Sequence, residues 1–190
     1  MFENIFSVPL YKTNVQSDFK SLAKLALEMR HMDPTGINLS NKGGWQSNAI
    51  PVENNVYTLK LSKEIFSEVL LFCDKLRIRS QKQNFRQLWF NINEHKDYNQ
   101  QHIHLESSIT GVYYISVPKN SGRIIFNNPS STMPCIWNHI EITEYNQYNS
   151  GVFTYTPIAG DLLIFPSWLE HYVEQNLSTR QRISLSFDFI

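Results

Sequence analysis

His102 and His104 are separated by a single residue. In an extended strand, residues i and i+2 point to the same face, so His102-Ile103-His104 would hold two imidazoles side by side, as a metal site requires. Taken alone, an H-x-H describes two surface imidazoles equally well. A third histidine changes the weight. His171 closes the run Gly160-Asp161-Leu-Leu-Ile-Phe-Pro-Ser-Trp-Leu-Glu, in which a tight turn leads into an apolar strand that ends at Pro166. If distant strands stack, His171 can meet the other two. Three ligands on one side of a metal leave the remaining positions open, the arrangement a non-haem iron oxygenase needs. The other histidines, His31, His95 and His139, fall at an expected helix end, in a loop and at a strand start, and read as ordinary polar residues.

Arg182 follows His171 by eleven residues and opens an alternating run, with Ile183, Leu185 and Phe187 interleaved with Ser184, Ser186 and Asp188. A guanidinium turned into a barrel needs an anionic partner. A carboxylate held bidentately suits it, with Ser184 on the same face to add a hydrogen bond. By itself Arg182 could equally be a surface residue at a strand start.

These side chains need a scaffold, and two regions are legible. Up to about residue 85 the chain reads as an opening strand over Asn4–Tyr11 followed by two helices. Ser17 or Asp18 would cap the first, with Leu22, Leu25, Ala26 and Met29 on one face. Ser62 would cap the second, with Ile65, Val69, Phe72, Cys73 and Leu76 on one face. The Pro- and Gly-bearing stretch 33–57 reads as irregular loop. From residue 86 onward, short β-prone runs alternate with turn signals: Leu88–Ile92, Ile109–Val117, Arg123–Phe126, Ile140–Thr143, Val152–Tyr155, Leu162–Phe165, Tyr172–Glu174 and Ile183–Phe189. That spacing implies a sandwich or barrel, with the helices supporting one face. The expected architecture is a single mainly-β domain over 1–190, a double-stranded β-helix (a cupin-like jelly roll). Its helical support spans 1–85 and its core with the metal site spans 86–190.

Composition excludes several classes. Hydrophobic residues make up 42% and aromatic residues 13%, so a packed core is feasible. The formal net charge is zero, without the basic excess that phosphate binding demands. No nucleic-acid partner is therefore expected. No apolar run approaches a membrane span and the start of the chain is no secretory signal, so the expected location is cytoplasmic, that of the host if the source is viral. The two cysteines, Cys73 and Cys135, form no paired motif and read as reduced core thiols. A small molecule or a peptide is the expected substrate partner. A homodimer through an exposed sheet edge is allowed but not demanded.

Four segments together resemble the 2-oxoglutarate/Fe(II)-dependent oxygenase superfamily: Asp97–His104, Thr110-Gly111-Val112-Tyr113-Tyr114, Gly160–His171 and Arg182-Ile183-Ser184. They are most similar to a branch of small oxygenases found in marine bacteria and phages. The likeness covers roughly residues 87–190. It implies that His102 and His171 bind Fe(II), and that Arg182, with Ser184, holds the distal carboxylate of 2-oxoglutarate. It makes Tyr114 a second partner for that carboxylate and Asn93 a further candidate. One departure stands out: the superfamily usually carries H-x-D or H-x-E, and here the carboxylate position is His104. Three readings compete. His104 is a true third ligand; Glu106 supplies the carboxylate; or His104 does not ligate and the site is weak. The first is preferred, because H-x-H is typical of this branch. The implied activity is an oxidoreductase, a dioxygenase that hydroxylates a substrate and releases succinate and carbon dioxide. The alternative is a cupin-like metal-binding protein without oxygenase activity, since three histidines also suit Zn²⁺. A structural jelly roll with incidental histidines ranks third.

Overall fold

Two helices precede the β-rich region, each started by a side chain that accepts orphan backbone N–H groups. Helix α1 spans Phe19–Met32, and the Asp18 carboxylate accepts from the Ser21 backbone N–H at 3.0 Å. Helix α2 spans Val56–Leu76. It begins two turns before the expected Ser62 cap. Asn55 caps it, accepting from the Tyr57 and Thr58 backbone N–H groups at 2.9 and 3.4 Å. Ser62 lies inside the helix, where its hydroxyl donates to the Leu59 carbonyl. The buried stripe extends N-terminally through Leu61, joining Ile65, Val69 and Phe72 at helical spacing.

The computed structural model describes residues 3, 5–79, 84–130 and 140–190. Eleven strands occur among them: β1 (Tyr11–Asn14), β2 (Asn41–Lys42), β3 (Trp45–Gln46), β4 (Phe85–Asn93), β5 (Tyr98–His102), β6 (Ile109–Ser116), β7 (Ile124–Asn127), β8 (Val152–Tyr155), β9 (Asp161–Pro166), β10 (His171–Val173) and β11 (Arg182–Phe189). They form a six-stranded sheet, β1-β9-β6-β11-β4-β3, and a five-stranded sheet, β2-β5-β10-β7-β8, both antiparallel throughout. From β4 to β7, and again from β8 to β11, the chain changes sheet at each successive strand. This alternation is that of a double-stranded β-helix, the expected fold.

Four expectations need correction. The opening strand lies at Tyr11–Asn14, beyond the apolar 5–10 stretch; Asn4 is outside the described residues. The 33–57 segment contributes β2 and β3, one to each sheet, so the first 85 residues do more than support. Residues 140–143 form no strand. The strand carrying His102 stops there, leaving His104 in irregular chain. Cys135, Trp137 and His139 lie outside the described residues, and Cys73 is buried and free.

The two faces of the larger sheet do different work. Ile183, Leu185, Phe187 and Phe189 of β11 pack with Leu22, Leu61, Ile65 and Val69 of the helices. Burying each such side chain stabilises the fold by about 1.5–3 kcal/mol. The opposite face looks toward the smaller sheet. There Tyr114, Leu163 and Phe165 meet Ile124, Phe126 and Leu169 in a second, smaller cluster. The rest of the space between the sheets is a cavity.

Candidate active site

His102 and His171 are brought together by strand register. His171 pairs with His102 across the β5–β10 ladder, which sets their rings 4.3 Å apart between centroids. His104 arrives from the loop after β5. Its backbone N–H donates to the Ser167 carbonyl at 2.9 Å, and the Ser167 hydroxyl donates to the Ser107 carbonyl, so the β9–β10 turn holds this loop. The His104 ring lies 5.1 Å from that of His102 and 5.4 Å from that of His171. One ligand nitrogen from each of the three falls within 4.8 Å of the others.

Each imidazole is oriented by its Nδ1. That of His102 lies 2.7 Å from the Gln100 carbonyl, and that of His171 lies 2.8 Å from the Leu169 carbonyl. A carbonyl only accepts, so these Nδ1 atoms carry the proton and each Nε2 keeps a free lone pair for a metal. Burial lowers the His102 pKa. It pushes His171 down to about 3, with His102 beside it adding to the effect. Both rings are therefore neutral near pH 7, the form that ligates.

His104 is oriented differently. Its Nδ1 sits 2.7 Å from Oδ1 of Asp188, in close polar contact but off the line of a hydrogen bond; among the described residues that buried oxygen has no hydrogen-bond partner. The other Asp188 oxygen accepts from Gln87 Nε2 at 3.0 Å. Burial by itself would raise the Asp188 pKa, but the His104, Gln87 and Thr110 contacts together outweigh it and leave the carboxyl below its usual range. Trp89 stacks on the His104 ring at 6.0 Å, and Phe165 meets the His171 ring edge-on at 4.9 Å.

A cavity of about 110 Å³ runs from these rings to Arg182. Arg182 is only 2% exposed. Its Nη1 donates to the carbonyls of Ser121 and Glu174, while Nη2 is buried without a partner among the described residues. Burial lowers its pKa, but a guanidinium stays charged in proteins. Gly122 makes room for this head: its φ is +90°, and a Cβ there would lie 2.9 Å from Nη1. Ser184, Tyr114 and Asn93 line the same cavity, with Tyr114 opposite Ser184 and Asn93 opposite Arg182 in the strand registers. Asn93 is buried at the end of β4, and Trp168, half exposed, does not line the cavity. Glu106 does not join the imidazoles; it is exposed and paired with Arg86.

Three nitrogen donors with open space on one side, and a buried unpaired cationic nitrogen across the same cavity, fit a divalent metal and a small dianion bound together. The residue types for both were legible as His102, His104, His171 and Arg182. Asp188 was not singled out. Its signal was there: it is the one acidic residue in a strand whose alternate positions are Arg182, Ser184 and Ser186.

A family model described as "Putative 2OG-Fe(II) oxygenase" matches residues 87–188. A search of curated proteins returns no match. Among solved structures, a Pseudomonas putida prolyl-4-hydroxylase is similar at a TM-score of 0.67 and 14% identity, covering 96% of this chain and 92% of that one. A Trichoplax adhaerens prolyl hydroxylase, solved with a hypoxia-inducible-factor peptide, is similar at 0.67 and 14%, covering 95% and 83%. The carbocyclase SnoK from nogalamycin biosynthesis is similar at 0.66 and 14%, covering 96% and 79%. At these identities the structural likeness carries the fold, and the family match carries the class; neither carries a marine or phage branch.

Proposed function

The chain belongs to the 2-oxoglutarate/Fe(II) oxygenase family, whose members use both groups, and from that premise we propose that His102, His104 and His171 hold Fe(II) and that Arg182 holds 2-oxoglutarate. One observation carries the reading: Arg182 is buried, with Nη2 unpartnered, in the cavity that the three imidazoles line. A buried cation without an anion is costly. A carboxylate arriving there removes the cost, and Ser184 and Tyr114 stand beside it as hydroxyl donors. When bound, the metal supplies oxygen activation coupled to oxidation of 2-oxoglutarate to succinate and carbon dioxide. The protein orients the rings, fixes the far carboxylate and keeps water out behind Phe165, Ile124 and Tyr114.

Apart from the histidines, Arg182 is the only charge-bearing side chain on the described lining, which elsewhere presents Gln46, Gln87, Asn91 and Asn99. Amide groups of this kind suit an uncharged segment of a peptide, a protein or a small molecule, and hydroxylation of a C–H bond in such a substrate is the proposed reaction.

The test is anaerobic loading with Fe(II), then 2-oxoglutarate, watching for the visible metal-to-ligand charge-transfer band. Wild type is expected to show it. Arg182→Met is expected to bind Fe(II) normally but to lose about 2–5 kcal/mol of 2-oxoglutarate binding, the usual range when one partner of a buried charge pair is removed. Equal 2-oxoglutarate affinity in the variant removes Arg182 from the role. Bound iron without any band favours a cupin-like metal protein.

A further inference from the structure

The ligand set proposed above is three neutral imidazoles, with no carboxylate on the metal. The charge such a carboxylate would bring is nevertheless present on the far side of the His104 ring. Asp188 is buried, and its Oδ1 lies 2.7 Å from His104 Nδ1. Among the described residues no Lys or Arg pairs with it: its other oxygen is engaged by the neutral amide of Gln87. The strand that carries it also carries Arg182. Positions 182, 184 and 186 of β11 line the cavity while 183, 185, 187 and 189 pack against the helices. Asp188 therefore ends the site-facing row that begins with Arg182. Thr110 adds a hydroxyl 3.5 Å from the same Nδ1 and is itself tied to the Phe187 carbonyl at 2.9 Å.

The three rings thus differ in kind. His102 and His171 lean on peptide carbonyls, which hold a proton without carrying a charge. His104 leans on a carboxylate, which raises the basicity of its opposite nitrogen. His104 also occupies the place where the superfamily pattern has Asp or Glu.

Resting on the three-histidine reading, we propose that Asp188 is a positioning residue acting through His104: it fixes the Nδ1–H tautomer and supplies, at one remove, the negative charge that a carboxylate ligand would supply directly.

The experiment uses the full chain under argon, with Fe(II) affinity measured by competition against a chromophoric chelator and with the optical band recorded after 2-oxoglutarate is added. Asp188→Asn keeps an acceptor and loses the charge. It is expected to weaken Fe(II) binding about 10- to 100-fold, the usual effect of losing such an outer partner. It is also expected to move the charge-transfer band to higher energy, because the iron is less electron-rich. In a His104→Ala background the same change is expected to do nothing further to Fe(II) affinity. Asp188→Glu keeps the charge and is expected to keep the wild-type band position. Unchanged affinity and band in Asp188→Asn overturn the proposal. So does an equal loss of affinity with and without His104, or a Glu variant shifted as far as the Asn variant. The metal-free melting temperature separates a folding defect from a ligand effect: a loss of affinity that merely tracks a fall in that temperature also counts against it. Iron binding that depends on Asp188 but gives no band with 2-oxoglutarate would sink the oxygenase reading and leave this one standing.

Discussion

The two sheets that enclose the cavity are built on different principles. In the six-stranded sheet both faces are covered, by the helices on one side and by the smaller sheet on the other, so β9 is buried at every position and β11 at all but one. In the five-stranded sheet one face meets solvent. Its β5 is mostly exposed, and β8 has three exposed residues out of four. The larger sheet supplies the anchor for the anion, Arg182, at a position locked by packing. The smaller sheet supplies His102 and His171, whose placement depends on backbone register and on two carbonyls. A rigid wall thus faces a more open one, and the site spans both.

The sharpest way to break this comparison is to truncate one phenylalanine in each sheet. Phe187 of β11 is fully buried, in edge-on contact with Phe85 at 5.7 Å, whereas Phe153 of β8 is 50% exposed. Phe187→Ala is expected to cost about 3–5 kcal/mol of unfolding free energy in urea titrations. Phe153→Ala is expected to cost less than about 1 kcal/mol. Similar losses in both would mean that the smaller sheet contributes as much to global stability as the larger.

A smaller effect probes how tightly the larger sheet is packed. A Cβ on Gly111 in β6 would fall 2.3 Å from Phe187 Cζ and 2.5 Å from the Leu163 carbonyl oxygen. Gly111→Ala is expected to destabilise by about 1–3 kcal/mol through overpacking, read as a lower urea midpoint with an unchanged slope. No loss would show that this layer can shift by several tenths of an ångström, contrary to the rigid-wall picture.

The same contrast explains what was legible before the structure. The apolar runs of β6 and β9 and the strict alternation of β11 make these buried strands stand out, with bounds correct to within a residue or two. Strand β8 was found as well, bounded by turn residues on both sides. Strand β5, Tyr-Asn-Gln-Gln-His, was missed as an element, because a polar strand paired on both edges keeps its place by backbone hydrogen bonds that leave no pattern in side-chain type. Strands β2 and β3 are two-residue edge strands, each paired on one side only, too short for any alternation of residue types to show. At the site, histidines and an arginine announce themselves by chemistry. The carbonyls of Gln100 and Leu169 that orient two of the rings belong to any residue type, and no sequence reading could find them. Asp188 stands out as the acidic member of the β11 row, but its role, a contact with His104, joins positions far apart in the chain.

The smallest expected effect lies on the open sheet. Arg123, just before β7, makes a two-pronged contact with Glu174, just after β10, with Nε 2.7 Å from Oε2 and Nη2 2.6 Å from Oε1. Both side chains are substantially exposed, so solvent screens the pair. The Arg123 hydrogen bonds pull the Glu174 pKa below its ordinary 4.5. A carboxylate whose pKa is depressed on folding stabilises the native state above its unfolded pKa and loses that contribution as pH falls through the folded value. Glu174→Gln is therefore expected to lower the melting temperature slightly at pH 7. The gap from wild type should close as the solution is acidified below pH 4.5, and added salt at pH 7 should narrow it too. If the gap were instead large at pH 7 and insensitive to both acid and salt, the ends of β7 and β10 would be held as tightly as the larger sheet, and the division between a rigid wall and an open one would fail at the strand that carries His171.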